Sequence, residues 1–112
     1  MGRRSVSTLV RGRIYRARPA GFTGDRYFLV VSNNMRNRAL ESALVVRLTT
    51  SPKPPLPSIV EVPPGEALRG GRVVCDDIYE LFEDEVKADM GALSPATMRA
   101  VHSGLKSALA LT

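Results

Sequence analysis

Arginines and hydroxyls beside glycine loops and strand ends are the residues of this chain whose types and spacing suit chemistry. Arg26 follows the loop from Pro19 to Asp25, which holds Gly21 and Gly24. Thr49 and Thr50 close an apolar run, and Arg13, Arg16 and Arg18 gather just upstream. A guanidinium pairs bidentately with phosphate and stabilises charge developing on it, while a threonine hydroxyl bonds a phosphate oxygen or a sugar. Such groups suit phosphodiester chemistry. RNA carries its own nucleophile, the 2′-hydroxyl, so a protein that orients it in line and stabilises the phosphorane can cleave without a metal. Threonine is no convincing base at neutral pH, which leaves the proton path unassigned. The same residues also fit a plainly structural reading, in which Arg26 pairs with Asp25 or the rim of the sheet and Thr49 only ends a strand.

Other chemistries lack their residues. The single histidine, His102, falls on a helix surface by its spacing, and no Cys and His ligand set, P-loop, G-x-S-x-G or G-x-G-x-x-G occurs. No metal and no cofactor is therefore expected. The acidic run Glu83-Asp84-Glu85 lacks calcium-loop spacing and reads as a solvated turn or short helix. The lone Cys75 sits in an apolar stretch, which predicts burial, and a single cysteine fits a reducing cytoplasm.

Charge points to a polyanion. Residues 1–72 carry 13 Lys or Arg against 4 Asp or Glu, and residues 73–112 carry 3 against 7, so a basic front of +9 adjoins an acidic back of −4. Of those 13 basic residues 12 are arginine, the side chain suited to phosphate and base recognition. A soluble basic surface with no nucleic acid partner is the alternative. No apolar run approaches the length of a membrane helix, and the first residues lack a secretory hydrophobic segment.

At 112 residues the chain holds one core, with residues 1–9 expected as a flexible basic tail and 10–112 as a single domain. Period-2 alternation from Gly12 to Ala17, and apolar runs at Tyr27 to Val31, Ala43 to Leu48, Ile59 to Val62 and Arg72 to Cys75, predict strands; Ile78 to Phe82 alternates again. Asn33-Asn34 reads as a turn. Four prolines keep Ser51 to Pro57 out of any central strand. Ser94 and Pro95 mark a helix start, and Met98, Val101, Leu105, Ala108 and Leu109 give that helix, running to about Leu111, one apolar face. Gly104 lies within it at a cost of about 1 kcal/mol relative to Ala, which packing must offset. The expected class is mainly β: a small barrel or curled antiparallel sheet with a C-terminal helix packed on it.

The order of these pieces resembles the MazF (PemK) family of ribonuclease toxins. The resemblance rests on Arg11-Gly12-Arg13-Ile14-Tyr15, on Arg26 to Asn33 with Asn37-Arg38 beyond, on Val45 to Thr49, on Leu56 to Val62, on Asp76 to Tyr79 and on Gly91-Ala92-Leu93-Ser94-Pro95. It spans residues 11–111. It implies an SH3-like barrel, a homodimer, and metal-free cleavage of single-stranded RNA to a cyclic phosphate and a 5′-hydroxyl, blocked by a cognate MazE-like antitoxin lying across the RNA groove. By matching position it implies Arg26 and Thr49 as catalytic, with Thr50 able to share the phosphate-positioning role. Arg13, Arg16, Arg18, Asn33 and Asp77 would border the RNA, and Phe22 either stacks on a base or is buried under its loop. Arg13 stands in place of the family's acid, Tyr27 of its proline, and Asp77-Ile78-Tyr79 of its Gln-Ile-basic stretch. These departures fall where bases are read, and Asp77 could accept from a cytosine amino group. Two other readings stay open: a non-catalytic CcdB-like toxin that binds DNA gyrase, and a degenerate member acting as a regulator.

Overall fold

The computed structural model describes residues 9–68 and 70–111. Six strands, β1 (Arg13–Ala17), β2 (Arg26–Val30), β3 (Ser42–Thr49), β4 (Ile59–Glu61), β5 (Arg72–Phe82) and β6 (Val86–Ala92), form one antiparallel sheet in the order β4-β5-β3-β2-β1-β6. Helix α1 (Asn34–Leu40) joins β2 to β3, and α2 (Pro95–Ala108) follows β6. This is the curled antiparallel sheet with a terminal helix that the sequence predicts, left open because β4 and β6 do not pair.

Each face of the sheet carries a core, as alternating side chains require. One cluster joins Ile14, Leu29, Val46, Leu48, Val73 and Cys75 to Met98 and Val101 of α2. The other joins Tyr15, Ala17, Phe28, Val30, Val45 and Leu81 to Leu9, which is 1% exposed. Leu9 thus belongs to the folded domain rather than to the tail; residues 1–8 lie outside the described ones. Cys75 is buried and its thiol is pushed up to about 11, first by burial and then by Asp76. Gly104 explains itself here. A Cβ at that position would come within 2.7 Å of Cys75 Sγ and 3.1 Å of Val60 Cγ2, so the glycine is what lets α2 lie against β4 and β5.

Four local expectations need correcting. Asn33-Asn34 opens α1 rather than a free turn: the Asn33 side chain accepts from the Arg36 backbone N–H at 2.8 Å and caps the helix. That helix escapes apolar periodicity because Met35 and Leu40 are exposed and its single buried residue is polar, Asn37. The two short strands expected at 72–75 and 78–82 are one strand, broken in register between Val46/Arg47 of β3 and Ile78/Val74 of β5. β6 was not expected at all; Lys87, Asp89, Gly91 and two alanines give it little β propensity. Finally α2 ends at Ala108, and Leu109 is 51% exposed instead of completing the apolar face. Glu83–Glu85 forms the expected single turn, a 3-10 helix.

Candidate nucleic-acid interface

Antiparallel pairing brings Arg26 and Thr49 together. β2 and β3 pair Tyr27 with Leu48, and the same register carried one residue further sets Arg26, the first residue of β2, opposite Thr49, the last of β3. Residues facing each other across a ladder share one face of the sheet. The row continues to Ala17 on β1 and to Arg72 on β5, and Arg72 pairs in turn with Glu61 at 3.3 Å.

The loop before β2 presents Arg26. Glu85 anchors its far side: the Glu85 carboxylate accepts from Ala20 N at 3.1 Å and from Phe82 N at 2.9 Å, while Arg18 N donates to the Glu85 backbone carbonyl. Arg26 Nη1 folds back onto the Asp25 carbonyl at 3.0 Å and passes 3.1 Å from where a Cβ on Gly24 would stand. The loop glycine therefore makes room for the guanidinium. The Asp25 carboxylate is engaged elsewhere, by Arg18 Nε at 3.1 Å and Arg16 Nε at 3.4 Å. Arg26 thus keeps a hydrogen bond to a neutral carbonyl and no carboxylate among the described residues. Of the structural alternative, the fold builds a bond from Arg26 to the Asp25 carbonyl rather than to its carboxylate, and Thr49 does end β3.

Thr49 is half-buried, and its hydroxyl accepts from Ser51 N at 3.1 Å, which leaves the hydroxyl proton to donate. Thr50 is exposed at the start of the proline loop. Asp77 lies in the register break of β5, partly exposed, between Val74, which faces Arg47, and its neighbour Ile78, which faces Val46. Phe22 is partly buried and meets Tyr79 and Phe28 edge to face, with centroids 5.4 and 5.9 Å apart. It is neither a free stacking ring nor a core residue. Tyr79 was passed over by sequence reasoning because its strand alternated ambiguously. The Asp77 carboxylate and partial burial hold its phenol above the usual value, with Arg47 pulling the other way.

Two residues expected at the RNA border stand off from this cluster. Asn33 lies beyond the far end of β2 and spends its side chain on the α1 cap. Arg13 begins β1 at the end opposite Ala17, and its Nε donates to Asp89 Oδ2 at 2.9 Å, a bond that raises the guanidinium further above its already high value. Arg16 and Arg18 remain close through Asp25. No helix is long and apolar enough to cross a membrane among the described residues.

This arrangement can bind a phosphate between a guanidinium and a hydroxyl donor, and comparison with known proteins places it in context. Residues 11–109 match the family model of the PemK-like, MazF-like toxin of type II toxin-antitoxin systems. The chain is 38% identical over 102 residues to endoribonuclease MazF1 of Mycobacterium bovis, covering 91% of this chain and 93% of that protein. A solved endoribonuclease from a mycobacterial species superposes with a TM-score of 0.85 at 34% identity, covering 96% of this chain and 97% of the other. A mycobacterial endoribonuclease in complex with its cognate antitoxin superposes at 0.84 with 38% identity, over 92% and 96% of the two chains. Matched along residues 11–109 and sharing the fold of these relatives, this chain belongs to the PemK-like, MazF-like toxins.

Proposed function

We propose that this chain is a toxin endoribonuclease that cleaves single-stranded RNA without a metal, at a site built on Arg26 and Thr49. What supports the reading is that these two residues stand at adjoining ends of the paired strands β2 and β3, and that among the described residues no carboxylate pairs with the Arg26 guanidinium while Arg16 and Arg18 share Asp25. In the reaction the substrate's 2′-oxygen bonds to phosphorus as the bond to the 5′-oxygen breaks. The 2′-hydroxyl gives up its proton and the departing 5′-oxygen takes one up, leaving a 2′,3′-cyclic phosphate and a 5′-hydroxyl. Arg26 stabilises the extra charge on the non-bridging oxygens, and the Thr49 hydroxyl donates to one of them, with exposed Thr50 beside it. Arg16, Arg18, Phe22 and Asp77 border the RNA.

The protein acts in the cytoplasm and is held inactive by a cognate antitoxin whose acidic segment covers the same basic face. A second copy covers the groove of about 300 Å³ between the end of α2 and the sheet, where Leu44, Ile78, Leu109 and Leu111 are exposed. Exposed apolar side chains grouped in one place mark such interfaces.

The test is incubation of the purified chain with a long single-stranded RNA in EDTA, beside Arg26→Ala and Thr49→Ala, with the new ends mapped. Discrete cuts that vanish in both variants are expected. Intact RNA with folded, antitoxin-free protein would instead favour a binding-only toxin.

A further inference from the structure

Arg47 is an arginine of the sheet that the cleavage reading leaves unused and, unlike Arg13 and Arg72, it has no ion pair among the described residues. Its Nε is buried and is the one buried side-chain nitrogen or oxygen among the described residues without a hydrogen-bond partner. Among the described residues no carboxylate lies within ion-pair distance of it, although Arg13, Arg16, Arg18, Arg36 and Arg72 all have one. Leaving a buried charged donor unpaired is costly, so a native structure that keeps one calls for a reason, a functional role or a bound ion among them.

Its placement says which ligand. Arg47 is two residues before Thr49 on β3, so the two point to the same face about 7 Å apart. Phe28 faces it across β2, two residues after Arg26, and Tyr79 faces Val45 on β5. Phe28 and Tyr79 meet edge to face at 5.8 Å, so aromatic surface lies on both sides of the position. The nearby acid, Asp77, acts on Tyr79 rather than forming an ion pair with Arg47. A partly exposed guanidinium with no counter-charge, beside the phosphate-binding hydroxyl, lacks an anion.

We propose that Arg47 binds the RNA phosphate next to the scissile one, making a second anchor that fixes the strand across Thr49. This rests on the reading of Arg26 and Thr49 as the cleavage site. It adds a binding residue rather than a catalytic one: Arg47 touches a phosphate that does not react.

The experiment uses an RNA oligomer carrying a mapped cut site, with a 2′-deoxy sugar at the attacking position so that it binds without being cleaved. Dissociation constants are measured by fluorescence anisotropy over a range of salt for the native chain, Arg47→Met and Arg47→Lys. Arg47→Met should flatten the slope of log K against log salt by about 0.7, the value for one phosphate contact on a single strand. It should weaken binding roughly ten- to hundredfold at low salt. Arg47→Lys should keep the slope. The thermal midpoint of Arg47→Met should equal or exceed the native one, since Nε has no bond to lose. An unchanged slope, with or without relaxed preference for one base, overturns the proposal, and so does a midpoint that falls in step with affinity. A native chain that binds this RNA at no salt concentration overturns the nuclease reading as well, an outcome distinct from a loss confined to Arg47→Met.

Discussion

The charge on Arg26 is available because Asp25 is occupied. One carboxylate flanked by Arg16 and Arg18 is already engaged on both sides, so the guanidinium that begins β2 bonds the Asp25 carbonyl and no carboxylate among the described residues. Arg26→Ala is expected to lower kcat by roughly 10²- to 10³-fold, the usual cost of removing one preorganised donor to transition-state charge, as measured in single-turnover cleavage. Gly24→Ala places a methyl 3.1 Å from Arg26 Nη1 and should reduce kcat several-fold while leaving the thermal midpoint near the native value. Cys75, buried with its thiol pushed up to about 11, should resist alkylation at neutral pH until the chain is unfolded. Arg26 and Thr49 are legible in the sequence as candidates because each adjoins a recognisable loop or strand end, while their proposed roles come from the family resemblance. Arg47 was not, because inside an apolar run it looks like any alternating strand residue, and what distinguishes it is a missing partner that only three dimensions show. Asn33 was legible as polar but not as a cap, since the helix it begins has no apolar stripe.

Among the elements, α2 carries the clearest tests. Alanine at a helical glycine ordinarily gains about 1 kcal/mol, but at Gly104 the added Cβ meets Cys75 Sγ at 2.7 Å. Overpacking of this kind costs about 1–3 kcal/mol, so Gly104→Ala should lower stability in urea denaturation or leave it without the usual gain. The N-terminus of α2 is tied to the loop after β4 by Glu66. Its carboxylate accepts from Ser94 N at 2.8 Å, Ser94 Oγ at 2.9 Å and Thr97 Oγ1 at 2.7 Å, and these bonds, led by the one from Ser94 N, hold it below the usual carboxylate range. A carboxylate with a depressed folded pKa stabilises fully above its unfolded pKa, and that contribution is lost as pH falls through the folded value. Glu66→Gln should therefore be less stable than the native chain at neutral pH, with the difference shrinking under acid; a pH series of thermal midpoints checks it. The start of α2 was readable from Ser94 and Pro95, and its packed face from Met98 and Val101. β6 was hidden because its pairing with β1 comes from long-range register rather than local propensity.

At the scale of the whole molecule, a net charge of +5 hides a sheet whose arginines are mostly already paired. That is why counting basic residues could suggest a polyanion partner without saying where it binds; in the proposed function that place is at Arg26 and Arg47, the strand arginines without an ion pair among the described residues. The open groove at the end of α2 makes a separate prediction: the native chain should run as a dimer in light scattering, and Ile78→Asp, which puts a charge among Leu44, Leu109 and Leu111, should leave a monomer. In the proposed function the RNA's own 2′-oxygen attacks a phosphate held between Arg26 and Thr49. The most direct measurement is cleavage in EDTA of two oligomers that differ only by a 2′-deoxy sugar at the mapped cut, with the product ends identified by mass spectrometry. The expected result is cyclic-phosphate and 5′-hydroxyl ends from the ribose oligomer, with the deoxy one left intact. Equal cleavage of both, or 5′-phosphate products, would contradict it.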